Sequence, residues 1–139
     1  MAIQVKNGSS RLTNEIWELK KHNKPLLKVL LATRNFVKKN FGKDITLTMI
    51  YRTDDEQDNI YRGKSRRGRF YDVNPWKSPH QFYAAFDLRS RTFTSKEIDT
   101  LVSYLNDKYN KTNYFRFTAM CHDIGLGSHF HVQYKKKQS

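Results

Sequence analysis

Apolar residues in the first third of the chain recur at helical spacing. Leu26, Leu27, Leu30, Leu31, Val37 and Phe41 fall along one side of a 3.6-residue repeat, with Pro25 at its start and Gly42 at its end. Proline is tolerated in a first helical turn and glycine supplies a stop, so the spacing predicts a helix over 25–41. The period then changes: Asp44 to Tyr51 alternates apolar residues with threonines and predicts a strand. Thr53 to Gln57 is polar and predicts the start of a short helix, and Arg62 to Arg69 is a basic loop punctuated by glycine. Phe82 to Leu88 predicts a second strand. Thr94-Ser-Lys-Glu97 has the spacing of a capping box, opening a helix with Ile98, Leu101, Val102, Leu105 and Tyr109 on one face. Phe115 to Cys121 and His129 to Tyr134 complete the predicted strands. Residues 1–23 are polar, which predicts a peripheral, partly mobile segment with Ile16, Trp17 and Leu19 able to pin a short helix to the core.

These elements predict an α+β fold, a small antiparallel sheet flanked by helices. With 139 residues and neither an internal repeat nor a linker, the expectation is a single domain over 1–139, large enough to bury a core without disulfides. Cys121 is the only cysteine, which excludes a disulfide framework and a multi-cysteine zinc finger. No run of about twenty apolar residues predicts a membrane span, and the amino terminus has no apolar signal core. The expected location is therefore the cytoplasm. The net charge of +13 implies attraction to polyanions: nucleic acid, anionic lipid surfaces or acidic wall polymers.

Strand alternation adds candidate chemistry. Tyr83, Ala85 and Asp87 share one face of their predicted strand, and Phe82, Ala84, Phe86 and Leu88 the other. In the last strand His129, His131 and Gln133 share one face, and Phe130, Val132 and Tyr134 the other. Pairing of the two strands would bring Asp87 to both histidines, with His80 delivered by the preceding loop. Imidazoles and a carboxylate around an open position suit a catalytic zinc. Ala85, being small, would leave room beside the ion. The remaining histidines are less informative: His22 reads as a surface side chain, and His122 and Cys121 are adjacent and so point to opposite faces.

Ser78-x-His80-x-x-x-x-Ala85-x-Asp87 followed by His129-x-His131 resembles the zinc-dependent D-alanyl-D-alanine carboxypeptidase and L-alanyl-D-glutamate endopeptidase family. These peptidases share a fold with the hedgehog signalling domain. Tyr51-Arg52-Thr53-x-x-Glu56-Gln57 is similar to the family's segment after its early strand, so the resemblance covers about 45–133. It implies that His80, Asp87 and His131 hold Zn2+. It implies also that Arg52 binds a peptide carboxylate or the developing oxyanion, that His129 assists proton transfer, and that Ser78 organises the loop around His80. The chain departs from the pattern at Tyr83, where the family usually has glycine. It departs again at Ser128, where many members place an acidic general base; His129, or more loosely Asp123 from the preceding loop, would then take that role.

The resemblance implies a phage-type endolysin or related hydrolase acting on stem or cross-link peptides of peptidoglycan. Without a signal peptide it would stay in the host cytoplasm until released to the wall, where anionic polymers would attract its charge. Two alternatives stand beside this reading. One is a catalytically inactive peptidase fold kept as a structural module. The other is a nucleic-acid-binding protein using the basic loop. A rolling-circle nuclease also carries His-hydrophobic-His, but its tyrosine nucleophile has no counterpart here: Tyr134 lies on the same strand, facing away from the histidines.

Overall fold

Among the described residues, three α-helices form, each where its capping residues stand. The computed structural model describes residues 3–51, 79–123 and 128–137. Helix α1 spans Ser10–His22 and is capped by Ser9, whose hydroxyl accepts from the Leu12 amide at 3.1 Å. Helix α2 spans Lys24–Phe41: Asn23 caps its start, and Gly42, at φ +65°, closes it in the left-handed conformation. Helix α3 spans Ser95–Tyr109 and opens with the capping box, Thr94 and Glu97 each satisfying the other's backbone amide. Lys43 also binds the Glu97 carboxylate, at 2.6 Å, tying the end of α2 to the start of α3.

Among the described residues five strands form one sheet: β1 Gln4–Val5, β2 Thr46–Met49, β3 Ala85–Arg89, β4 Ala119–Asp123 and β5 Ser128–Gln133, in the order β1-β2-β3-β5-β4. The fold class is α+β. The sheet is mixed rather than wholly antiparallel, because β1 pairs in parallel with β2 while every other pairing is antiparallel. Parallel neighbours need a long crossover, and α1 and α2 supply it.

One face of the sheet is the core face. Leu47, Phe86, Leu88, Phe130 and Val132 are fully buried there and share a cluster with Leu26 and Leu30 of α2 and Leu101 and Leu105 of α3. Each such side chain contributes about 1.5–3 kcal/mol by leaving water. Leu12 and Leu19 seat α1 against the same cluster, with Ile16 partly buried beside them. Trp17, expected as an anchor, instead points outward at 68% exposure, because it lies off the Leu12–Leu19 stripe.

The strand boundaries move for local reasons. Strand β3 begins later than the pattern predicts, because Pro79–Phe82 is a short 3-10 turn and Tyr83 then adopts φ +55°. Strand β4 begins at Ala119 rather than at Phe115, because side-chain amides claim the preceding backbone. Asn106 accepts from the amides of Thr118 and Ala119, and Asn113 accepts from those of Phe115 and Lys135. Between Leu47 and Met49 the β2 register shifts, which puts Met49 opposite Asp87. The predicted helix at 53–57 and basic loop at 62–69 lie outside the described residues. No helix among the described residues is long and apolar enough to cross a membrane.

Candidate metal centre

Register places the chemistry on the face opposite the core. Asp87 of β3 pairs directly with His131 of β5, and Arg89 pairs with His129. Since Phe86, Leu88, Phe130 and Val132 take the core face, Asp87 and both histidines share the other. His80 arrives from the 3-10 turn, which folds back toward β3: the Ala84 amide donates to the Pro79 carbonyl at 2.9 Å. His80, Asp87 and His131 are 1%, 4% and 8% exposed. One ligand atom from each lies within 4.8 Å of the others, so the three form a group able to hold a metal ion.

Their neighbours assign the ring tautomers. His80 Nδ1 lies 3.0 Å from the Ile50 carbonyl oxygen, a pure acceptor, so Nδ1 carries the proton and donates. In the neutral ring this leaves a lone pair on Nε2, which sits 3.1 Å from Asp87 Oδ1. In His131 the roles of the two nitrogens are exchanged. Gln133 donates its amide to the Phe117 carbonyl at 3.2 Å, which turns its Oε1 toward His131 Nε2 at 2.9 Å. His131 Nε2 therefore donates, and Nδ1 presents its lone pair 3.2 Å from the same Asp87 Oδ1.

Two imidazole lone pairs and a carboxylate oxygen thus face one another in a buried space. Such an arrangement needs a shared cation, either protons that convert the rings to imidazolium or a metal ion. Ring nitrogens held from behind by carbonyl acceptors are typical of metal-binding histidines. The donor set, two imidazole nitrogens and one carboxylate, fits zinc or a similar divalent ion. Burial alone would raise the Asp87 carboxyl; where the shared cation is a proton on each ring, attraction to His80 and hydrogen bonds from His131 and His80 outweigh it. The group is held well below the usual carboxylate range and stays ionised.

His129 stands on the other side of the carboxylate, its Nε2 3.4 Å from Asp87 Oδ2. Ala85 pairs with Gln133, so the space its small side chain leaves lies beside the amide that orients His131. Ser128 faces away from the cluster: its hydroxyl lies 3.8 Å from Cys121 Sγ, and its carbonyl accepts from Ser90 at 3.0 Å. Asp123 ends β4, its backbone paired with Ser128 one step beyond the His122–His129 pair. Arg52, Ser78, Glu56 and Gln57 lie outside the described residues. Tyr51, next to Arg52, is held by α1: Arg11 donates to its carbonyl at 2.9 Å and its amide donates to Glu15 at 3.2 Å.

Tyr83 keeps a backbone conformation that glycine favours, and its ring compensates. It is stacked between His22, at 4.6 Å, and Tyr51, at 4.8 Å. His22 is thus a surface residue with a packing role. The carbonyls of Ile50 and Phe117 were not visible as parts of a site in the sequence. Gln133 was, since it shares the alternation of His129 and His131.

Comparison with known proteins gives no match: no family model, no curated protein and no solved structure is similar to this chain.

Proposed function

We propose that this chain is a zinc-dependent peptidase of peptidoglycan, related to the D-alanyl-D-alanine carboxypeptidases and L-alanyl-D-glutamate endopeptidases and acting as a phage-type endolysin. The observation that carries the reading is the convergence of His80 Nε2 and His131 Nδ1 on Asp87 Oδ1, each ring oriented by a carbonyl oxygen behind it.

In this reading His80, Asp87 and His131 hold the ion. When bound, zinc would supply Lewis-acid polarisation of the scissile carbonyl and an acidified water as nucleophile. The protein's own residues do the rest. His129 takes a proton at Nε2 and returns it to the leaving amine, with the Asp87 carboxylate 3.4 Å from that nitrogen. Arg52 binds the oxyanion or a substrate carboxylate. Burial of the ligand side chains keeps the local dielectric low, which strengthens each of these charge interactions. The +13 charge favours adsorption to anionic wall polymers.

Mass spectrometry of muropeptides incubated with the protein and zinc tests the proposal. Cleavage should appear, stop with chelator and be absent in His131→Ala. Zinc binding without hydrolysis of any wall fragment would favour an inactive peptidase fold. Salt-sensitive DNA retention independent of zinc would favour a nucleic-acid-binding protein.

A further inference from the structure

Among the described residues, the exposed large hydrophobic side chains are Trp17, Phe82 and Tyr114, at 68%, 62% and 63% exposure. They come from separate parts of the chain, yet the fold gathers them at one end of the molecule. Asn23, at the α1–α2 junction, donates to the carbonyls of Tyr83 and Tyr134 at 3.2 and 2.8 Å, which brings their neighbours Phe82 and Lys135 to that junction. The Lys135 carbonyl in turn accepts from the Tyr114 amide at 2.6 Å. Trp17 lies in the last two turns of α1, which ends at the same place.

This end also concentrates positive charge. Lys20 and Lys21 follow Trp17 at the spacings that share its side of the helix, and Lys24 opens α2. Lys135, Lys136 and Lys137 are held as an ordered edge: Lys136 bridges to Asn113, and the Lys137 amide donates to the Thr112 carbonyl at 2.9 Å. The buried Asn113 side chain fixes this pairing by accepting from the Lys135 amide at 3.2 Å. These six lysines are exposed, and none forms an ion pair with a described residue. The segments that meet here, 17–24, 79–85, 104–116 and 133–137, carry nine lysines and arginines against two acids, Glu18 and Asp107. Glu15, further back on α1, is paired with Arg11 at 2.8 Å. Even all five acids of residues 52–78, brought here without the seven cations of that segment, would leave the surface positive.

A hydrated polyanion would satisfy the lysines but leave Trp17 and Phe82 in water. Nor is Tyr114 open for base stacking: the Lys135 ammonium sits 5.2 Å from its ring centroid, and Phe115 meets it edge-on at 5.5 Å. A lipid surface takes both kinds of side chain, since aromatic rings settle at the headgroup level and lysines reach the phosphates around them. We propose that this end of the molecule docks on an anionic lipid bilayer, with Trp17, Phe82 and Tyr114 entering the headgroup region. The association is peripheral, and it does not depend on the metal centre or on the peptidase reading.

Co-sedimentation with vesicles tests this, comparing phosphatidylcholine alone with an equal mixture of phosphatidylcholine and phosphatidylglycerol. The parent should bind the anionic vesicles only, with or without chelator. Replacing Lys135, Lys136 and Lys137 together by glutamine should weaken binding about 100-fold. The same loss of charge at the far end, Lys39→Gln with Arg91→Gln and Lys96→Gln, should weaken it far less. Trp17→Ser with Phe82→Ser, at unchanged net charge, should weaken it about 10-fold. In Trp76→Phe, which leaves Trp17 as the single tryptophan, emission should shift to the blue on binding. Equal losses in the two charge variants would mean that net charge alone drives binding, and parent-like binding by Trp17→Ser with Phe82→Ser would mean that the rings stay in water. Either result overturns the proposal, as does retention on DNA or on wall polymer without retention on anionic vesicles.

Discussion

Gln133 orients His131, one of the three side chains that could hold a metal ion. Its amide is held by the Phe117 carbonyl and its oxygen accepts from His131 Nε2, which reserves Nδ1 for the centre. Asn113 supports it from behind, donating to the Gln133 carbonyl at 2.9 Å and to the Thr118 hydroxyl at 3.0 Å. Gln133→Leu would leave His131 without that acceptor and should weaken zinc binding about 10- to 100-fold, read by competition with a chromophoric chelator. Unchanged affinity in a folded variant would remove Gln133 from the metal site. Tyr83 tests a different balance, backbone strain against ring stacking. Its φ of +55° is costly for a residue with a Cβ, and the stack with His22 and Tyr51 offsets the cost. Alanine would keep the strain and lose the stack, whereas glycine would lose both. Tyr83→Gly should therefore be more stable than Tyr83→Ala by about 1 kcal/mol in urea unfolding. The reverse order would show that the ring, not the backbone, dominates at this position.

At the scale of elements, Asn23 joins the helices to the strands that carry Asp87 and His131. It caps α2 through Oδ1, which accepts from Leu26, and donates from Nδ2 to the carbonyls of Tyr83 and Tyr134 at 3.2 and 2.8 Å. One side chain thus links the α1–α2 junction to the start of β3 and the end of β5, the pair bearing Asp87 and His131. Asn23→Ala removes the cap and leaves two carbonyls without this donor, for an expected loss of about 2–3 kcal/mol. Asn23→Ser keeps a capping oxygen without setting a carboxylate against the two carbonyls and should recover about 1 kcal/mol of it. Equal urea midpoints for the two variants would mean that the cap contributes nothing. The mismatch between predicted and observed β4 has a related origin. Phe115 and Phe117 continue the apolar alternation that predicts a strand, yet Asn106 and Asn113 bind the backbone of this segment. Hydrophobic period carries no record of side-chain amides competing for peptide groups.

For the whole molecule, the side chains that could hold an ion come from positions 80, 87 and 131, so an ion bound there would close a long loop of chain. An ion that binds the folded state alone stabilises it by mass action, by about 2.7 kcal/mol at a free concentration one hundred times Kd. Zinc should therefore raise Tm in the parent, chelator should reverse the rise, and His131→Ala should show no zinc-dependent shift in scanning calorimetry. A parent whose Tm ignores zinc would show that the three side chains do not form a metal site.

The local pattern of the chain determined helices α2 and α3, the glycine stop of one and the capping box of the other, the existence of four strands and the division of Asp87, His129 and His131 from the core residues around them. These follow from short-range rules: a 3.6-residue or two-residue period, a capping hydroxyl, a glycine at a helix end. The parallel pairing of β1, the register setting Asp87 against His131, and the return of His80 toward the sheet were decided by the tertiary structure. So were the carbonyl acceptors at Ile50 and Phe117 that choose which imidazole nitrogen faces the carboxylate. Backbone carbonyls are present at every residue and carry no sequence signal; only folding selects which of them meets a histidine.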